Sequence, residues 1–105
     1  MGAPKLVSSE VVTVTGATQY SAVYSLPRGD TVSFHYVYTL GTGTATVQYS
    51  NVNDTAAFQS VTTTTQTLSG TGVAFFDIIK TGAAFARLIF SSATNSTGTL
   101  YVNKR

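Results

Sequence analysis

Thr31-Val32-Ser33-Phe34-His35-Tyr36-Val37-Tyr38-Thr39-Leu40 decides the fold class. Val32, Phe34, Tyr36, Tyr38 and Leu40 fall on one side of an extended chain, and Ser33, His35, Val37 and Thr39 on the other. Successive side chains of a strand point to opposite faces, so this period of two describes a half-buried β-strand with a clear inside. β-Branched and aromatic residues of this kind suit a pleated, packed surface. The following segment repeats the pattern: Ala45, Val47 and Tyr49 oppose Thr44, Thr46, Gln48 and Ser50.

Outward from this stretch, strand-like runs alternate with turn residues along the whole chain. The spacing predicts about eight strands near 5–15, 18–26, 31–40, 44–50, 58–68, 72–80, 84–91 and 98–104. Pro27-Arg28-Gly29-Asp30 suits a tight turn, because Pro presets φ and Gly tolerates positive φ. Gly41-Thr42-Gly43 reads as a hairpin loop and Asn51 to Ala57 as a longer turn. The run Thr62-Thr63-Thr64-Thr65 sits inside a strand-like stretch. Many short strands with regular turn signals predict an antiparallel two-sheet sandwich or jelly roll, with a small barrel as the alternative. The 105 residues form one domain, residues 1–105, large enough to bury a core without staples. Tyr36, Val47, Phe76 and Leu88 are the expected core markers.

Composition excludes several function classes. There is no cysteine, hence no disulfide and no thiolate chemistry. The net charge of +2 rests on few, scattered Lys and Arg, which is too weak a grip for nucleic acid. No apolar run reaches the ~20 residues of a membrane helix, and Met1-Gly2-Ala3-Pro4-Lys5 has no signal-peptide pattern. Only 10% of residues are charged, against about a quarter in ordinary soluble domains. A Thr- and Ser-rich surface of this kind is weakly self-repelling, as in proteins packed against copies or partners, and equally describes an ordinary β domain.

The catalytic inventory is thin. His35 is the one histidine, in mid-strand, and reads as structural or solvated. The acids are Glu10, Asp30, Asp54 and Asp77, of which Asp30 and Asp54 fall in turns where Asp bonds its own backbone. No nucleophile elbow, phosphate-binding loop or dinucleotide fingerprint occurs. The oxygens of Asn51-Val52-Asn53-Asp54-Thr55 are too poor in carboxylates for a good calcium site. No catalytic residue, metal or cofactor is expected. Six tyrosines keep a sugar-stacking surface open, although there is no Trp.

Two strands are apolar on both faces. Ala86, Leu88 and Phe90 oppose Phe85, Arg87 and Ile89; Ala74, Phe76 and Ile78 oppose Val73, Phe75, Asp77 and Ile79. A sandwich normally buries one face of each sheet, so the second face needs a cover, either a loop of the chain or another protein. Phe75, Ile79, Phe85, Arg87 and Ile89 are the candidate interface residues. Arg among aromatic neighbours is enriched at interface centres.

Thr46-Val47-Gln48-Tyr49-Ser50-Asn51, followed by Asp54 and Phe58, resembles a hairpin of the small β-sandwich structural proteins of tailed bacteriophages. Phe85-Ala86-Arg87-Leu88 and Gly98-Thr99-Leu100-Tyr101-Val102 resemble two further strands of those domains. An enlarged turn at residues 51–54, and Phe58 where Trp is common, depart from their pattern. The resemblance implies a non-enzymatic virion component, a capsid decoration (cement) protein or a head- or tail-associated domain. It would be assembled in the host cytoplasm and bound to the major capsid protein or another virion protein. It would act as a homo-oligomer such as a trimer, without nucleic acid or membrane. The alternative is a carbohydrate- or host-surface-binding module of the tail-fibre or adhesin type.

Overall fold

A computed structural model describes residues 5–14, 18–26, 31–80, 83–91 and 96–104; the side chains of 5–8, 31, 40, 62, 77–80, 96 and 104 lie outside that description. The strands are β1 (Lys5–Val14), β2 (Thr18–Tyr20), β3 (Tyr24–Ser25), β4 (Thr31–Ser50), β5 (Gln59–Lys80), β6 (Phe85–Ser91) and β7 (Ser96–Lys104). Every pairing is antiparallel. Among the described residues the single helical element is a 3₁₀ turn at Thr55–Ala57, and no helix is long and apolar enough to cross a membrane.

β4 is the hub. One of its edges pairs with β5 along nearly its whole length. Its other edge pairs first with β7, from Val32 to Thr39, and then with β6, from Thr44 to Ser50. The sheet therefore has two arms. The first holds β1, β7, the start of β4 and the end of β5. The second holds β2, β3, β6, the end of β4 and the start of β5. Glu10 of β1 accepts hydrogen bonds from the Ala22 N–H (3.2 Å) and the Tyr24 hydroxyl, tying the free edges of the two arms together. The sheet is nearly closed on itself.

Eight expected strands become seven for identifiable reasons. The expected hairpin at Gly41-Thr42-Gly43 is instead a corner inside continuous β4. The register shifts between Tyr38 and Gly41, and Gly43 (φ 94°) adopts a conformation open to glycine. Gly70 (φ 63°) lies opposite Gly41 and carries β5 round the same corner, so the expected break at residues 69–70 also vanishes. The expected strand 18–26 is interrupted after Tyr20. There Ser21 turns its hydroxyl onto the Leu88 N–H (2.9 Å), in place of a backbone carbonyl. The turn expected at 27–30 lies outside the described residues.

The threonine run is a bulge. From Ala45 to Val47 β4 advances two residues, while its partner runs from Gln66 to Val61, five residues, so β5 carries three extra. Thr64 Oγ1 replaces the missing ladder bonds: it accepts the Val47 N–H (2.9 Å) and donates to the Val61 carbonyl (2.7 Å). The hydroxyls of Thr46 and Thr65 bond to each other at 2.8 Å. Thr64→Val keeps the shape and strands both backbone groups. We expect it to cost about 2 kcal/mol in denaturant unfolding, against under ~0.5 kcal/mol for exposed Thr63→Val. Equal costs would contradict this account of the bulge.

The inner faces of the arms meet in one core. Tyr36, Val47, Phe76 and Leu88 are all buried, as the alternation predicts. Ring contacts cross between the arms: Tyr36 to Phe90 at 5.1 Å and Phe34 to Tyr24 at 6.0 Å. Tyr36 and Tyr38 stack at 5.4 Å, and the Tyr38 hydroxyl accepts the Ser69 N–H (3.1 Å) across the corner.

Candidate functional site

The outer face of the first arm is apolar and uncovered. Register sets Tyr101, His35 and Phe75 side by side on β7, β4 and β5, and Thr99, Val37 and Val73 in the next row. Val11 lies opposite Thr99 and extends that row onto β1. Val11 is 73% exposed, Val73 56%, Phe75 50%, Val37 41% and Tyr101 38%, so five large apolar side chains share one open sheet surface. The His35 ring is half-buried between Phe75 (5.5 Å, edge-on) and Tyr101 (6.1 Å). It acts as part of an aromatic row. On the same strand face, Asn103 Oδ1 is buried with no hydrogen-bond partner among the described residues.

The five candidate interface residues do not form one patch. Phe85, Arg87 and Ile89 share the outer side of β6 in the second arm, while Phe75 belongs to the first arm, because β5 pairs with β4 and not with β6. The side chain of Ile79 lies outside the described residues. Phe85 and Ile89 are half-buried. Arg87 does point outward, as alternation requires, but only 3% of it is exposed. Its guanidinium lies between two rings, 3.9 Å from the Tyr20 centroid and 4.1 Å from that of Phe58. Nε donates to Gln48 Oε1 (2.8 Å), and Nη1 to Thr55 Oγ1 (3.3 Å). Burial lowers the Arg87 pKa, and the Tyr20 hydroxyl opposes that shift. An arginine nonetheless keeps its charge at any ordinary pH. Among the described residues no carboxylate faces it; the ring faces and amide and hydroxyl oxygens carry the compensation.

The Arg87 cluster fixes the loop between β4 and β5. Thr55 and Phe58 belong to that loop. Asp54 Oδ1 caps its 3₁₀ turn by accepting the Ala56 N–H (3.1 Å), the self-bonded role expected of a turn aspartate. Asn51 Oδ1 accepts the Ala84 N–H (3.2 Å), so these loop oxygens already serve backbone donors. Ser50 closes the start of the loop, donating to the Val52 carbonyl (2.6 Å). Of the other acids, Glu10 is the edge tether, and Asp30 and the Asp77 side chain lie outside the described residues. Among the described residues no group of three or more His, Cys, Asp or Glu side chains is gathered for a metal.

The fixed loop forms one wall of a cleft of about 560 Å³. Tyr49 and Gln59, paired across the β4–β5 ladder, line it with Val61; Ser50, Asn51, Ser60 and Thr63 complete the polar lining among the described residues. Among the described residues the lining holds no charged side chain. Burial pushes the Tyr49 phenol up to about 12, so it remains a neutral donor.

No family model and no curated protein matches the chain. One solved structure, described as the crystal structure of PirA, superposes with a TM-score of 0.56. The match covers 92% of this chain and 93% of that one at 15% sequence identity. At that identity the likeness is one of fold.

The sequence reading missed most of the open face. Val37 and His35 belong to the side of the strand that looked polar in isolation. The apolar neighbours Tyr101, Val73 and Val11 come from three other strands, and only the register brings them together.

Proposed function

We propose that this chain is a non-enzymatic structural protein of a viral particle, docked through the outer face of its first arm onto another protein of the shell. One observation carries the reading: Val11, Val37, Val73, Phe75 and Tyr101 stand exposed together on one four-stranded surface. Contiguous apolar surface is costly to leave in water, and a shell subunit that covers it recovers that cost. The likeness of residues 46–51, 54, 58, 85–88 and 98–102 to small β-sandwich structural proteins of tailed phages supports the same role. We also infer the finer architecture, a two-layered jelly roll. Its layers would be β1-β7-β4-β5 and β2/β3-β6-β4-β5, with β4 and β5 crossing from one to the other at Gly43 and Gly70.

The test is Val73→Ser combined with Phe75→Ser, read by particle binding and by thermal unfolding of the isolated chain. Outward side chains contribute under ~0.5 kcal/mol each to the fold, while a central docking anchor contributes ~2 kcal/mol or more to binding. Lost binding with an unchanged melting temperature is the expected result. Unchanged binding contradicts the reading.

A further inference from the structure

We propose that the cleft between Tyr49, Gln59 and the β4–β5 loop binds a neutral sugar ring, in a site separate from the docking face. The cleft lies on the second arm, at the end of β4 and the start of β5, whereas the docking face is built from the opposite halves of those strands. Its volume of about 560 Å³ is within the ~300–1,000 Å³ usual for small-molecule sites.

The lining selects the ligand class. With no Lys, Arg, Asp or Glu among the described residues of the wall, a phosphate, a carboxylate or a metal ion would lose its hydration without a counter-charge from them. Tyr49, Gln59, Asn51, Ser60 and Thr63 instead offer neutral hydroxyl and amide groups, beside the apolar surface of Val61. A pyranose presents the complementary pattern, hydroxyls on its rim and C–H groups on its faces, which pack on an aromatic ring. Asn51 has already committed Oδ1 to the Ala84 N–H, leaving its amide hydrogens for a ligand.

Two features show that the cleft is preformed. The three-residue bulge in β5 carries exposed Thr63 to the lip, and bulges are a recurrent means of re-aiming a side chain at a site. The wall behind it is pinned by Arg87, whose guanidinium holds Thr55 and Phe58 against β6. A loop held in advance does not have to be ordered by its ligand.

The experiment is titration of the labelled full chain with glucose, galactose, mannose, N-acetylglucosamine and N-acetylgalactosamine, and with glucuronate and inorganic phosphate as charged probes, followed by NMR. At least one neutral sugar is expected to shift the Tyr49, Gln59 and Thr63 resonances with a millimolar or tighter Kd. Tyr49→Phe and Gln59→Ala are each expected to weaken that binding about tenfold, the effect of one lost hydrogen bond to the ligand. Tighter capture on a polysaccharide bearing the same unit assigns the site to surface glycans; equal affinity assigns it to free sugars. The proposal is overturned if no neutral sugar shifts these residues, if both variants bind like wild type, or if a charged probe binds more tightly. Because particle binding is read separately, failure here leaves the docking proposal standing.

Discussion

Arg87→Ala is expected to lower the stability of the isolated chain by about 3–4 kcal/mol, and its melting temperature by roughly 15 °C. The substitution removes a buried cation from between Tyr20 and Phe58 and leaves Gln48 Oε1 and Thr55 Oγ1 without their donor. It also frees the β4–β5 loop, which is otherwise held by Asn51 to Ala84, the Ser50–Val52 turn, the Asp54 cap and the backbone bonds of its 3₁₀ turn. Arg87→Lys keeps the charge but cannot lie flat between two rings, so we expect about half of the loss to remain. Thermal unfolding of the three proteins checks this ordering. An unchanged melting temperature in Arg87→Ala, with lost particle binding, would return Arg87 to an intermolecular role.

Gly98→Ala is expected to have a comparable effect for a steric reason. A Cβ at Gly98 would lie 2.4 Å from the Val37 carbonyl oxygen and 2.7 Å from Tyr36 Cε1, in the middle of three paired strands. Neither neighbour can retreat: one is backbone in the ladder, and the other is a fully buried ring in contact with Phe90 and Tyr38. We expect a loss of about 3 kcal/mol, the upper end for overpacking a core. Gly70→Ala is the contrast. Its Cβ meets nothing within 4 Å, but its φ of +63° is unfavourable for a side chain, so the expected cost is only ~1–2 kcal/mol. Chemical denaturation separates the two. Equal losses would show that backbone conformation, and not space, governs Gly98.

The core was legible because alternation is a local property. Val32, Phe34, Tyr36 and Tyr38 point inward as their spacing dictates, and so do Ala86, Leu88 and Phe90. The corners were not legible. Glycine is compatible with both a hairpin and a bend within a strand, and only the pairing of Gly41 with Gly70 distinguishes them. The bulge escaped because four consecutive threonines carry no alternation to break. The outward direction of Arg87 could be read from β6 alone. Its cover could not, since Tyr20 and Phe58 come from segments 67 and 29 residues earlier in the chain.

The same limit applies to function. The open face of the first arm combines residues from β1, β4, β5 and β7, and no one strand announces it. The cleft combines the end of β4, the loop and the bulge of β5, none of which carries a catalytic or ligand-binding motif. Both sites are products of register.

The most direct test of the proposed role is an image reconstruction of a viral particle assembled in the presence of this chain. The account predicts copies in an ordered symmetric array, with Val11, Val37, Val73, Phe75 and Tyr101 turned into the contact with the shell. Copies that leave this face open to solvent, or a particle without any ordered copy, would contradict it.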